Sequence, residues 1–500
     1  MHKIVYLPLD ERPCNYAFAS FLSENNPDYA LVAPPKEILG EKKRAAAYEG
    51  IEAFLLRECE NAYGLVLSLD MLLYGGIVPS RLHHLSEETL KNRLALLGKL
   101  KEANPALKIY AFALIMRCPS YSSSDEEPDY YERYGREIFL RGQAEHKYAA
   151  GVIDEAEYRT AVGDKDEAFE RALEDFLARR RVNLNALESA LSLLGTTIDS
   201  FVIPQDDSAP YGYTALDQKR VKAFLAEKGL EVAIYPGADE VGLTRLCALV
   251  NQMKGGEPKV YPVYPHEDCK KIVPLYEDRA VEKSIAAQIV SAGCQTAASA
   301  EEADILLFCN LPLEKMKNVT ERGGEDYERR ELAAFTEKMS CARKAGKAVA
   351  AADIAYCNGG DVEWLTLIEK KLGVFSLAGY AGWNTSSNTL GTVLCQAVLY
   401  HYYGDTATHR KFTAERVYED VGYCGYVRKY ACDELLPKMS GCDYFHADGK
   451  RGKVAEKVKE TLQAYVSESF PNVAAAYEIE SCGMPWSRMF EVGLTVQEKR

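Results

Sequence analysis

Short apolar runs recur along the chain, and each stops abruptly at polar residues: 4–7, 29–33, 64–69, 109–116, 201–203, 232–235, 259–264, 305–309, 348–352 and 375–381. They lack the apolar/polar alternation of a half-solvated strand, which predicts strands covered on both faces, as in a parallel sheet. Between them lie stretches with helical periodicity, at 41–59, 87–102, 215–228 and 279–292. Strand, polar residue, glycine, helix is the repeating order, and it defines an α/β protein. The stronger runs number about eight up to residue 404, the arithmetic of a (β/α)8 TIM-barrel-like catalytic domain. The weaker runs at 29–33 and 259–264 disturb that count, so two doubly wound α/β domains joined near residue 270 are the structural alternative.

Two regions break the pattern. Residues 119–196 begin with hydroxyls, acids and tyrosines and continue as charged helices, a helical insertion after the third strong strand. Residues 405–500 change composition, and amphipathic segments at 415–436 and 454–469 predict a small, mostly helical C-terminal domain beside the 1–404 α/β domain. No internal repeat is visible in the sequence.

The polar residues at the strand ends carry the candidate chemistry. Asp10, Glu11 and Arg12 follow the first strand, Asp70 the 64–69 run and Arg117 the 109–116 run. The adjacent pair Asp206 and Asp207 follows 201–203, and Trp383 with Asn384 follows 375–381. In parallel α/β folds ligands bind at the C-terminal ends of strands. Several acids in one cup repel one another, so one is expected to hold a proton near neutrality beside an ionised neighbour, which glycoside hydrolysis requires. The expected activity is therefore a carbohydrate hydrolase with Asp207 as general acid and Asp206 as the stabilising or orienting carboxylate. Asp10, Glu11, Arg12, Asp70, Arg117, Trp383 and Asn384 would line the substrate. The competing role for Asp206, Asp207 and Ser208 is to cap the helix predicted at 215–228.

Composition narrows the partners. A net charge of -14 over 500 residues, without a basic run, argues against nucleic acid. No stretch of about twenty apolar residues predicts a membrane span, and the first residues show no signal-peptide pattern. Fourteen cysteines scattered without CxxC pairs suit free thiols in a reducing, cytoplasmic setting. Neither HxH nor HExxH occurs among the eight histidines, so a zinc site is not expected. No cofactor is predicted. The same acids presenting Mg or Mn to a small anionic substrate, or a sugar-binding protein without turnover, are the alternatives.

The motifs LPLDERPCN at 7–15, SLDMLLYGG at 68–76, IMRCPSYSSSDEEPDYYERYG at 115–135, IPQDDSAPYG at 203–212 and AGWNTSSNTLG at 381–391 resemble an uncharacterised bacterial protein family, the domain of unknown function 4127. The resemblance covers nearly the whole chain and implies no particular activity. Asp206-Asp207 is also similar to the carboxylate pair of barrel hexosaminidases that use the substrate's acetamido group, an analogy at the level of the fold.

Overall fold

A computed structural model of the chain describes residues 1–499. Its strands divide between two parallel sheets. The six-stranded sheet contains β1 (His2–Leu7), β2 (Tyr29–Val32), β3 (Gly64–Ser68), β4 (Lys108–Phe112), β5 (Ser200–Gln205) and β6 (Ala233–Pro236), in the order β2-β1-β3-β4-β5-β6. The five-stranded sheet is built from β7 (Lys259–Val263), β8 (Gln295–Thr296), β9 (Ile305–Asn310), β11 (Ala348–Asp353) and β13 (Gly379–Ala381), in the order β13-β11-β9-β7-β8. A short parallel ladder pairs β10 (Lys317–Asn318) with β12 (Tyr356–Cys357), and β14 (Tyr477–Gly483) forms an antiparallel hairpin with β15 (Gly493–Glu498).

The α/β class and the parallel pairing agree with the apolar runs. The single closed barrel does not appear, because hydrogen bonding splits the strands into two sheets with free edges. Both weaker runs, 29–33 and 259–264, are strands, and they are what makes two sheets possible. Each sheet has the doubly wound order 2-1-3-4-5 when its own strands are numbered along the chain, the first with a sixth strand added.

The chain folds as two compact units. The first comprises Met1–Glu11, Asn26–Gly242 and Tyr276–Asp278; the second comprises Arg12–Asn25, Leu243–Leu275 and Arg279–Arg500. Residues 405–499 thus belong to the same unit as the second sheet. They contain helices Ala407–Arg416 and Lys453–Ser469, a π-helical stretch Val417–Val427, and the β14-β15 hairpin. In the first unit, the insertion forms helices Tyr131–Ala149, Glu155–Val162 and Glu167–Leu191. The first and third of these close their apolar faces over Met116 and Tyr213 in a cluster with Tyr131, Ile138, Phe169 and Phe176, while Glu155–Val162 buries no residue. In the second unit Phe308, Phe335, Trp364, Met339 and Ile368 form the centre of a larger core.

Candidate functional site

In the first unit, topology gathers the strand ends. β1, β3, β4 and β5 are parallel neighbours, so the segments leaving them share one edge of the sheet. The order in which strands are added to the sheet reverses between β1 and β3, and the crevice expected at such a switch lies at the carboxyl ends of those strands. Asp10 and Glu11 follow β1, Asp70 follows β3, Arg117 lies beyond β4, and Asp206 and Asp207 follow β5.

Two arginines and four carboxylates lock together at this edge. Arg81, on the short 3-10 turn Pro79–Arg81, donates to Asp206 at 2.7 Å and to Glu126 and Glu127 at 3.2 Å each. Arg117 donates to Glu127 at 2.7 Å, to Glu126 at 3.1 Å and to Asp207 at 3.3 Å. Glu127 receives both guanidiniums on one oxygen, while its second, buried oxygen has no hydrogen-bond partner. Charge-assisted bonds of this kind, with one carboxylate oxygen bridging two guanidiniums, are shorter and stronger than neutral ones.

Four carboxylates against two guanidiniums leave an excess of negative charge, and a bound proton relieves it. Burial, and then the neighbouring charge of Asp206, push Asp207 up to about 7 against the opposing pull of Arg117. Asp207 still exposes 21% of its side chain, so the proton is within reach of solvent or substrate. Its backbone sits at φ 40, in the left-handed region that costs a non-glycine residue energy and clusters at functional positions. Asp70 is deeper. Burial drives its pKa to about 7, although the Leu114 N–H donates to it at 3.0 Å and favours the ionised form.

Capping does not account for the Asp206-Asp207 pair. The helix that follows is Tyr213–Lys228, and its N-cap is Gly212 with no side-chain cap bond. Ser208 instead donates its backbone N–H to the Tyr276 carbonyl at 3.0 Å. The doublet is held by arginines.

The second unit has a polar centre of its own, at the ends of β9 and β11. Asn310 donates to Asp353 at 3.0 Å and to Asp361 at 3.2 Å, and Arg330 donates to Asp361 at 2.7 Å and to Asn310 at 3.0 Å. The other Asp353 oxygen accepts from the Asp361 N–H at 2.7 Å and from Tyr380 at 3.0 Å. Nearby in sequence to the π-helical stretch, Arg416 holds Asp420 at 2.8 Å and Glu419 at 2.6 Å, while the Gly382 N–H donates to Asp420 at 2.8 Å. Burial raises Asp353 and Glu419 to about 7 and Asp420 to about 6.

A family model described as Protein of unknown function (DUF4127) matches residues 4–495. The chain belongs to this family. No curated protein matches it. The DUF4127 match spans both units, and every residue of the arginine-carboxylate cluster lies within it.

The expected site residues of this DUF4127 chain divide between the units. Asp10, Glu11, Asp70, Arg117, Asp206 and Asp207 fall in the first; Arg12, Trp383 and Asn384 fall in the second. Arg12 lies 4.5 Å over the Trp486 ring and 3.9 Å from Glu491. Trp383 is buried, donates its indole N–H to Thr392 at 3.2 Å and meets Phe18 edge-on at 5.8 Å, so its ring serves the interior. Asn384, at φ 49, offers its carbonyl to the Asn358 N–H at 2.7 Å.

Sequence reasoning missed Arg81, Glu126 and Glu127. Arg81 stands just past Gly75-Gly76 on a turn rather than at a strand end, and the two glutamates are hidden in an acidic loop that reads as solvated. Among the described residues no three His, Cys, Asp or Glu side chains are arranged to hold a metal ion, and no helix is long and apolar enough to cross a membrane. All the cysteines are free thiols, and most are buried.

Proposed function

We propose that the protein is a carbohydrate hydrolase whose reaction centre is the Asp206-Asp207 doublet of the first unit. One observation carries the reading: of two adjacent carboxylates, Asp206 is paired with Arg81 at 2.7 Å, whereas Asp207 is raised to about 7 and stays partly exposed. Environments that push paired acids apart assign the donor and the ionised partner.

In this scheme the protonated Asp207 gives its proton to the glycosidic oxygen as the bond to the anomeric carbon breaks. Asp206, pinned by Arg81, faces the developing positive charge on the sugar. Water then adds to the anomeric carbon, and its released proton restores Asp207. Arg117 couples the two acids, because it contacts Asp207 at 3.3 Å and stands 4.0 Å from Asp206.

The test is turnover of a panel of aryl and natural glycosides, N-acetylhexosaminides included, by wild type, Asp206→Asn and Asp207→Asn. Turnover should fall as pH rises through about 7, where Asp207 loses its proton. Asp207→Asn should lose about 10²–10⁴-fold on natural glycosides, and less on aryl glycosides, whose leaving groups need little protonation. Absence of turnover by wild type across the panel, or unchanged turnover by Asp207→Asn on a natural glycoside, would overturn the reading. A strict Mg or Mn requirement, lost with EDTA, would replace it with metal-assisted chemistry on a small anion.

A further inference from the structure

The same edge of the first unit carries a shallow, wide-open recess of about 520 Å³, lined by Glu41, Lys42, Lys43, Arg44, Ser124 and Asp125. In a chain with a net charge of -14, three successive cations on one wall stand out. A tight turn presents them. Glu41 and Arg44 exchange both backbone hydrogen bonds at 2.8 Å, and Lys42 is held at φ 52. Helical periodicity predicts a helix from 41, but the helix begins only at Tyr48, and the turn occupies the interval.

Three ties bind this turn to the acid cluster. The Lys42 N–H donates to Glu11 at 3.0 Å. The Lys42 ammonium pairs with Asp125, whose chain continues directly into Glu126 and Glu127. The Ala46 N–H donates to the Gly75 carbonyl at 3.0 Å, on the turn that ends the short helix containing Asp70. Contact here is close enough to exclude side chains, since a Cβ on Gly40 would stand 2.0 Å from the Arg44 carbonyl and one on Gly75 2.6 Å from the Ala46 nitrogen. The continuous segment 124–127 therefore joins the two, Ser124 and Asp125 lining the recess and Glu126 and Glu127 bonding the arginines that hold the doublet.

We propose that this recess binds an anionic group, phosphate or carboxylate, carried by the sugar substrate, and that the activity is directed at acidic or phosphorylated glycosides. The inference rests on the hydrolase reading and adds the substrate class. Lys43 pairs with the fully exposed Asp129 at 3.1 Å, and Arg44 with Glu41 at 3.8 Å. Exposed pairs of this kind contribute little, so a ligand anion can replace the carboxylates with little loss. Lys42, half-buried on Asp125, keeps the turn in place.

Calorimetric titration of the full chain with glucose, glucose 6-phosphate, glucuronate and inorganic phosphate tests this, on wild type and on the double variant Lys43→Ala/Arg44→Ala. Wild type should bind one of the two charged sugars at least tenfold more tightly than glucose, and the preference should shrink as salt rises. Phosphate competing with glucose 6-phosphate identifies a phosphate subsite; preference for glucuronate identifies a carboxylate one. The double variant should lose that preference while melting at the wild-type temperature. Equal affinity for glucose and both charged sugars, or undiminished preference in the double variant, would overturn the inference. Anion-selective binding without hydrolysis of any glycoside would overturn only the hydrolase reading, and turnover of neutral glycosides without anion discrimination only this one.

Discussion

Asp70 offers the sharpest test of the electrostatics, because its folded-state pKa of about 7 lies far above its ordinary value of 3.8 and burial is the leading cause. Between those two pH values the folded protein keeps a proton that the unfolded chain has released. Wild-type stability should therefore fall as pH rises from about 4 to about 7, level off above, and be unaffected by this group below about 4. At about 1.4 kcal/mol per pH unit, burying this carboxyl costs about 4 kcal/mol at pH 8, where it is ionised, and under about 2 kcal/mol at pH 5, where folding must take up a proton. Asn has nearly the same shape, and its carbonyl can still accept the Leu114 N–H that now reaches Asp70 at 3.0 Å. The stability of Asp70→Asn relative to wild type should thus rise by about 2–3 kcal/mol from pH 5 to pH 8. For a unit of this size that is roughly 5–10 °C in the first-unit transition, measurable by melting both proteins across that range. A melting difference that stays constant with pH would show that Asp70 is ionised throughout, and the account of this edge as a proton-holding site would fail with it.

Other perturbations separate the contributions. Arg81→Met leaves Asp206, Glu126 and Glu127 short of a counter-charge and should cost about 3–5 kcal/mol in urea unfolding at neutral pH; the loss should shrink near pH 4, and an equal loss at both pH values would mean packing dominates. Gly40→Ala places a methyl 2.0 Å from a backbone carbonyl and should cost more than about 2 kcal/mol. Gly98→Ala, in the helix Leu96–Ala103 with nothing within 4 Å of the new methyl, should instead stabilise by about 0.4–1 kcal/mol; the same sign for both would refute the steric argument. Tyr380→Phe removes the hydroxyl that Asp353 accepts at 3.0 Å and should cost about 1 kcal/mol, with no change in any turnover assigned to Asp207.

The strands were legible because burial on both faces leaves an unmistakable apolar run, and β3 and β9 are buried at every position. Their closure was not legible. Whether parallel strands form one barrel or two sheets depends on which edges pair, and a pairing partner leaves no local mark in a run such as 29–32. The strand-end residues Asp70, Arg117, Asp206 and Asp207 were legible for the same reason as the strands, since position along the chain fixes position on the sheet edge. Glu126 and Arg81 were not, because they reach the cluster from loops whose course is set by tertiary contacts. The π-helical stretch Val417–Val427 was read as an ordinary amphipathic helix; only in three dimensions does it show its close packing, where Gly359 and Gly425 bring two backbone segments so near that an added Cβ would meet the facing segment within 3.0 Å.

The doubled topology sharpens the choice of site. Each sheet has the same 2-1-3-4-5 order, and each carries a buried carboxyl raised to about 7 near the ends of its central strands, Asp70 in one and Asp353 in the other. Raised pKa alone therefore does not distinguish chemistry from architecture. Hydrogen bonding does. Both Asp353 oxygens are occupied, by Asn310 on one side and by Tyr380 and the Asp361 N–H on the other, and Asp420 is similarly filled by Arg416 and the Gly382 N–H. Such a network, with Asp353 accepting three hydrogen bonds and Asp420 two from buried protein groups, rigidifies a core and points to architecture. In the first unit Asp207 keeps one arginine contact, a strained backbone and a fifth of its surface, with a recess joined to its site by the segment 124–127. If that distinction is right, Asp353→Asn should change stability and leave catalysis alone, whereas Asp207→Asn should do the reverse.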